Sequence, residues 1–176
     1  VSGFLVHEVA ADVRVRVTAP MPVLPPDIDA AVERLWQAAI RRVEDGGAGR
    51  LFNGQVFSAD HISPALILGH MTEFRRIVAQ MDDPSLGPCL RVRPLAVCGV
   101  LRCADGVMIG RRPAAAVYQA GLWQLPPAGS VDGHALRPDG SIDLIGQILT
   151  ELTEELGLTP EQVATPRPLC AVEHPG

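Results

Sequence analysis

The strongest structural instruction in this chain lies in its last third. Between 142 and 156 the apolar residues Ile145, Ile148, Leu149, Leu152 and Leu156 recur along one helix face, and Gly157 supplies the stop. A helix over 142–156 must lay that stripe on other elements, so a layered fold is implied. Its other face is acidic, with Glu151, Glu154 and Glu155 at i, i+3 and i+4. Like charges at this spacing repel by about 0.2–0.5 kcal/mol per pair, and the last turn of a helix disfavours anions by about 0.3–1 kcal/mol. A hard divalent cation removes both penalties, because Mg²⁺ takes oxygen ligands and bridges carboxylates to phosphates. A plain solvated acidic face is the competing reading.

The segments before this helix alternate strand and helix signals, which predicts a mixed α/β fold. Short strands are expected at 4–6 and 13–17, the latter from Val13, Val15 and Val17 alternating with Arg14 and Arg16. After a proline-rich connector, Asp27 or Asp29 is placed to cap a helix carrying Ile28, Val32, Leu35, Trp36, Ala39 and Ile40, ended by Gly46, Gly47 and Gly49. The spacing then predicts a strand or hairpin over 51–62 around Asn53-Gly54, a strand over 65–68 and a helix over 71–81 with Phe74, Ile77 and Val78 inward. The Asp/Pro/Gly-rich stretch 82–88 reads as a boundary between an N-terminal α+β region, 1–86, and a domain at 90–176. In that domain strands at 95–101 and 107–109 flank the turn Ala104-Asp105-Gly106. Further strands are expected at 123–125 and 169–172, and Thr159-Pro160-Glu161-Gln162 opens another helix with a capping box.

Composition excludes several classes of function. No apolar run approaches the roughly 18 residues of a membrane span, and a net charge of −5 without a basic block argues against a duplex nucleic-acid surface. All fifteen cations are arginine, so a lysine Schiff base and a P-loop lysine are ruled out. Cys89, Cys98, Cys103 and Cys170 form no CxxC pair; Cys98 and Cys103 are expected to be buried thiols. No secretory leader is legible, so reduced thiols in the cytoplasm are the expectation. The histidines lack metal-ligand spacing, which argues against zinc, and no serine sits in a nucleophile elbow.

The run Leu122-Trp123-Gln124-Leu125-Pro126-Pro127-Ala128-Gly129, followed by Glu151-Leu152-Thr153-Glu154-Glu155-Leu156-Gly157-Leu158, resembles the signature of the Nudix hydrolases. The chain departs from it at three points. Thr150 follows Gly129 by twenty-one positions where the signature has fourteen, which places seven extra residues within 133–140. Thr150 replaces the signature arginine that braces the first helix glutamate, and Ile142 replaces the signature's first glutamate. Upstream, 28–36, 51–57 and 68–76 are similar in order and spacing to the N-terminal region of the vertebrate Nudix branch that hydrolyses UDP-glucose.

The resemblance implies a Nudix α/β/α sandwich with a mixed sheet at 90–176, truncated on its C-terminal side, behind the small α+β region. It implies hydrolysis of a pyrophosphate bond in a nucleoside diphosphate linked to X, with a UDP-sugar as one candidate. Glu151, Glu154 and Glu155 are then the catalytic and metal-binding residues for Mg²⁺, with Mn²⁺ as an alternative, and the Gly129 carbonyl completes the site. Arg111 and Arg112 are the expected phosphate clamps, and Arg137 in the lengthened loop a third, because guanidinium binds phosphate bidentately. Tyr118 and Trp123 are candidates to stack on a base, although the apolar neighbours of Trp123 favour a core position. The alternative is a catalytically impaired Nudix-fold module that binds a nucleotide or a protein. A homodimer through the N-terminal region is suspected on general grounds.

Overall fold

Two eight-residue strands make up most of a three-stranded sheet. In the computed structural model, which describes residues 3–47, 50–114, 116 and 119–174, β3 (Gln55–Ile62) and β4 (Leu66–Glu73) pair antiparallel, with a register shift between Ala59 and His61. Of the preceding strands β1 (Leu5–Glu8) and β2 (Arg14–Val17), β2 lies parallel to β4, giving the order β2-β4-β3. One face of this sheet is covered by α1 (Pro26–Asp45) and α2 (Phe74–Asp82). Here Val56 packs with Val32, Ile77, Ala79, Leu86, Leu90 and Val92, and Trp36, Ala39 and Val78 form a smaller cluster beside them.

The other face draws on the C-terminal half. Val15, Phe57, Ala59, Ile67 and Met71 pack against Val131, Ala135 and Ile142. Backbone bonds follow the same route. The Phe57 N–H donates to Val131 O (2.8 Å), the Leu95 N–H donates to Phe57 O (2.9 Å), and the Ile142 N–H donates to Val15 O (2.9 Å). After a short helix α3 (Gly87–Leu90) come β5 (Ala96–Cys98), β6 (Arg102–Cys103), β7 (Gly106–Val107), β8 (Gly110–Arg111), β9 (Trp123–Gln124) and β10 (Ala128–Ser130). They form three two-stranded antiparallel pairs, β5–β10, β6–β7 and β8–β9. The helix α4 (Leu144–Leu156) lies against β5 and β10, and β11 (Cys170–Glu173) closes the chain by pairing antiparallel with β1. Arg93 ties that pair to the body, donating through Nε and Nη2 to the Glu173 carboxylate at 3.0 and 2.8 Å, which also contacts His7 Nε2. The architecture is mixed α/β with several small sheets. No helix among the described residues is long and apolar enough to cross a membrane.

Several expectations change. Neither Asp27 nor Asp29 caps α1, which begins at Pro26 behind Pro25 with no side-chain cap; Asp29 instead pairs with Arg75 at 3.1 Å. Of the strand or hairpin expected around Asn53-Gly54 the strand is found, at Gln55–Ile62, and there is no hairpin turn, Asn53 bonding Glu73 and the Arg75 N–H across the sheet end. Residues 71–73 belong to β4 rather than to the following helix, their pairing with β3 outweighing the helical pattern. The strand expected over 95–101 stops at Cys98. The turn at Ala104-Asp105 joins β6 to β7 as expected. Gln162 Oε1 accepts from the Thr159 N–H at 2.7 Å, but that pattern closes a single 3₁₀ turn, Pro160–Gln162. All four cysteines are exposed, which corrects the expected burial of Cys98 and Cys103. Gly49 lies outside the described residues.

The packing of β3 on β4 rests on Gly69. A Cβ there would collide with Ser58 O and stand 2.7 Å from Phe57 Cζ, both in fully buried residues. We expect Gly69→Ala to cost about 1–3 kcal/mol and to lower Tm by several degrees; an unchanged denaturation midpoint would contradict this packing.

Candidate functional site

The site is built where α4 meets β10. Asp143 caps the helix, Oδ1 accepting from the Gly146 N–H at 2.9 Å, and that bond, helped by Arg137, holds the Asp143 carboxyl below its ordinary range despite partial burial. Gly157 ends the helix at φ 66°, its N–H donating to Thr153 O. The face turned toward β10 is the row Gln147, Glu151 and Glu155, one turn apart. Gln147 and Leu152 are the helix's buried residues, Glu151 is half-buried, and Glu154 and Glu155 are exposed.

Glycine at 129 makes this approach possible. A Cβ built on Gly129 would fall on the Glu151 carboxylate itself, so the strand admits that side chain only where no side chain of its own stands. Beside it the Ala128 N–H donates to Glu155 Oε2 at 3.0 Å. The cis Pro126–Pro127 bond precedes this strand. Gln147 Nε2 donates to Glu151 Oε1 at 2.8 Å. Burial pushes the Glu151 carboxyl up from its ordinary value. Glu154, Glu155 and Asp132 push it further, and the Gln147 bond opposes them. The exposed thiol of Cys98 donates to Leu125 O at 3.1 Å; partial burial, and more weakly Glu155, raise its pKa against that bond.

The structure therefore brings Gly129, Glu151 and Glu155 together. Glu154 lies on the flank, lining a shallow cavity of about 340 Å³ with Leu149, Thr150, Thr153 and Pro160. Arg111 and Arg112 sit on the β8–β9 hairpin. Arg111 Nε donates to Gly121 O (2.9 Å), and Arg112 Nη1 donates to Gln124 Oε1 (2.6 Å). Arg137 is engaged at the helix cap through Asp143 Oδ2 at 2.7 Å. Trp123 is 68% exposed, a correction to its expected core position, since β9 pairs only with β8 and nothing is layered on it among the described residues. Tyr118 lies outside the described residues.

Two participants escaped the sequence reading. Gln147 stands four residues before Glu151, and that helical spacing is the signal that could have found it. Asp132 carries no motif and reads only as a turn residue; its carboxylate accepts from the His134 N–H at 2.8 Å. Thr150 does not brace Glu151, since its hydroxyl donates back to Gly146 O at 3.0 Å.

Among the described residues no group of three His, Cys, Asp or Glu side chains is arranged to hold a metal ion. The donor chemistry nonetheless fits a hard cation. The groups at this junction are carboxylate and carbonyl oxygens, and the Glu151 pKa is raised first by burial and then by repulsion from Glu154, Glu155 and Asp132, the part that a nearby cation would oppose. Comparison with protein-family models, curated proteins and solved structures returned no match.

Because folding raises the Glu151 pKa, its charged form weakens the native state. Stability is lost as pH rises from the ordinary carboxylate value through the folded one. Glu151→Gln in EDTA is expected to raise Tm by about 1 °C at neutral pH. The gain should vanish at a pH below the carboxylate range, where Glu151 is already protonated. Calorimetry across pH checks this; a variant less stable than the parent at neutral pH would reverse the sign.

Proposed function

We propose that this chain is a Nudix-type hydrolase that cleaves, with a divalent cation, the pyrophosphate bond of a nucleoside diphosphate linked to X. A UDP-sugar is the first substrate to test. The observation that carries the reading is the seating of the Glu151 carboxylate on Gly129, with Glu155 bonded to the adjacent Ala128 N–H. The two segments that resemble the Nudix signature, distant in sequence, meet at that contact. In this reading the β5–β10 layer and α4 are part of an α/β/α sandwich with a mixed sheet, and 1–86 is its N-terminal region.

Glu151, Glu154, Glu155 and the Gly129 carbonyl would hold Mg²⁺, or Mn²⁺ in its place. When bound, the ion neutralises charge on the phosphoryl oxygens and lowers the pKa of the attacking water. The protein groups do the positioning. Gln147 fixes one oxygen of Glu151, and the Ala128 N–H fixes one oxygen of Glu155, so each carboxylate keeps a second oxygen for a ligand or for a proton. One of the three glutamates takes the proton of the attacking water. Arg111, whose Nε is bonded to Gly121 O, would offer its terminal nitrogens to an anionic substrate, with Arg112 next to it on the hairpin. Arg137 can join them only by leaving Asp143 Oδ2, while Asp143 Oδ1 keeps its bond to the Gly146 N–H. Free cysteines are in keeping with a reducing, cytoplasmic setting.

A second reading, a nucleotide-binding module without turnover, is favoured by the dispersed carboxylates and by the missing brace at Thr150. Product release from UDP-glucose, other nucleoside diphosphate sugars, ADP-ribose and coenzyme A, with and without Mg²⁺, separates the two. We expect Mg²⁺-dependent cleavage of one substrate class and a loss of at least about 100-fold in Glu155→Gln. No turnover on any substrate, together with a thermal shift from the same compounds, would establish the binding module instead.

A further inference from the structure

The polar residues of α4 do not share one environment. Gln147 is 6% exposed and is the helix's one buried polar side chain; its backbone N–H is tied to Asp143 O at 3.0 Å. A buried amide is tolerated where it finds hydrogen-bond partners, and Gln147 Nε2 finds Glu151 Oε1 at 2.8 Å. The dependence runs both ways. Among the described residues this amide is the one hydrogen-bond donor to the half-buried Glu151 carboxylate. The charges that bear on that carboxylate are those of Glu154, Glu155 and Asp132, all of its own sign.

Two features together fix where the carboxylate stands. The bare Gly129 backbone lets it lie against β10, and Gln147 holds one of its oxygens. A glutamate has several rotatable bonds, and this double hold removes the freedom they would otherwise leave. Thr150 supplies no part of it, since its hydroxyl is bonded to Gly146 O at 3.0 Å. On an exposed helix face a bond between residues four apart does little more than support the helix. At a buried position its loss leaves a carboxylate oxygen without a donor, which favours turning that side chain out to water.

We propose that Gln147 is the positioning residue of this centre: it takes the bracing role that Thr150 leaves open, and through Glu151 it sets the affinity for a divalent cation. This inference rests on the cation reading of α4 given above and deepens it. A neutral amide suits the task. A guanidinium in the same place would hold the carboxylate and also offset its charge, whereas an amide gives one hydrogen bond and leaves the whole negative charge for an ion. The nitrogen that makes the bond is a donor and cannot ligate an ion, so Gln147 acts through Glu151.

The test is Mn²⁺ binding to the full chain without nucleotide, followed by electron paramagnetic resonance, beside Tm in EDTA. Gln147→Met and Gln147→Leu keep most of the bulk and remove the donor. We expect each to weaken Mn²⁺ binding by about tenfold or more, with Tm retained and the same number of ions bound at saturation. Thr150→Val should leave the affinity unchanged. In the parent chain the Gln147 side-chain amide resonances should shift when Mg²⁺ is added, a readout that does not depend on how the variants fold. Parental Mn²⁺ affinity in a folded Met or Leu variant, an equal loss in Thr150→Val, or Gln147 amide resonances that ignore Mg²⁺ would each overturn the role of Gln147 alone. No Mn²⁺ binding by the parent, or binding that Glu155→Gln leaves untouched, would overturn the cation reading of α4 and this role with it.

Discussion

Strand β3 is bonded on both edges and covered on both faces, and the other elements are placed relative to it. On one edge it pairs with β4. On the other, Phe57 gives its N–H to Val131 and takes the N–H of Leu95, while the Ala59 N–H goes to Arg93 O at 2.8 Å. Its side chains divide between two clusters, Val56 with the helices and Phe57 and Ala59 with the C-terminal segments. Over Val56–Ala59, the buried part of the strand, the backbone groups must be satisfied within the protein. The regions before and after 82–88 are therefore joined by the same hydrogen bonds that make the sheet.

At the α4–β10 junction burial and charge act against each other. The helix uses a glutamine and a glutamate where a purely structural helix would place two apolar residues, and glycine at 129 leaves the carboxylate room against the strand. Gln147 compensates one Glu151 oxygen and the Ala128 N–H one Glu155 oxygen, but Glu154, Glu155 and Asp132 still repel Glu151. Such an arrangement lowers stability unless something positive is gained there, the pattern expected of a site rather than of a core.

The sequence was most readable where one local signal had no competitor. The helix expected over 142–156 is found at Leu144–Leu156, because its stripe, the Asp143 cap and the Gly157 stop all agree. The turn at Ala104-Asp105 also stood alone and is found. Asn53-Gly54 misled because the Asn53 side chain found better partners across the sheet, in Glu73 and the Arg75 N–H, than a two-residue turn could offer. Met71 to Glu73 read as helix because the pattern of the following helix runs back through them, yet pairing partners on β3 claimed them first. Trp123 and Cys98 read as core from their apolar neighbours, but two- and three-residue strands paired on one side leave them exposed. The carboxylates were visible in sequence, and the Gln147 bond could have been read from its four-residue spacing; the nearness of Asp132 could not, since it depends on how α4 is docked.

The segment between β10 and α4 shows why docking could not be read locally. Rather than forming a free loop, it packs Ala135 into the core. It then runs beside β2, with Val17 donating to Gly140 O at 2.9 Å and Ser141 bridged to Arg16, before the Ile142 N–H reaches Val15 O. Arg137, expected as a third clamp on a ligand, is bonded instead to the capping residue Asp143. The axis and height of the acidic helix are thus set by a strand more than a hundred residues earlier in the chain. A change at Val15 or Val17 would reach the carboxylates through this segment, and the positions that govern the site therefore include residues with no chemistry of their own.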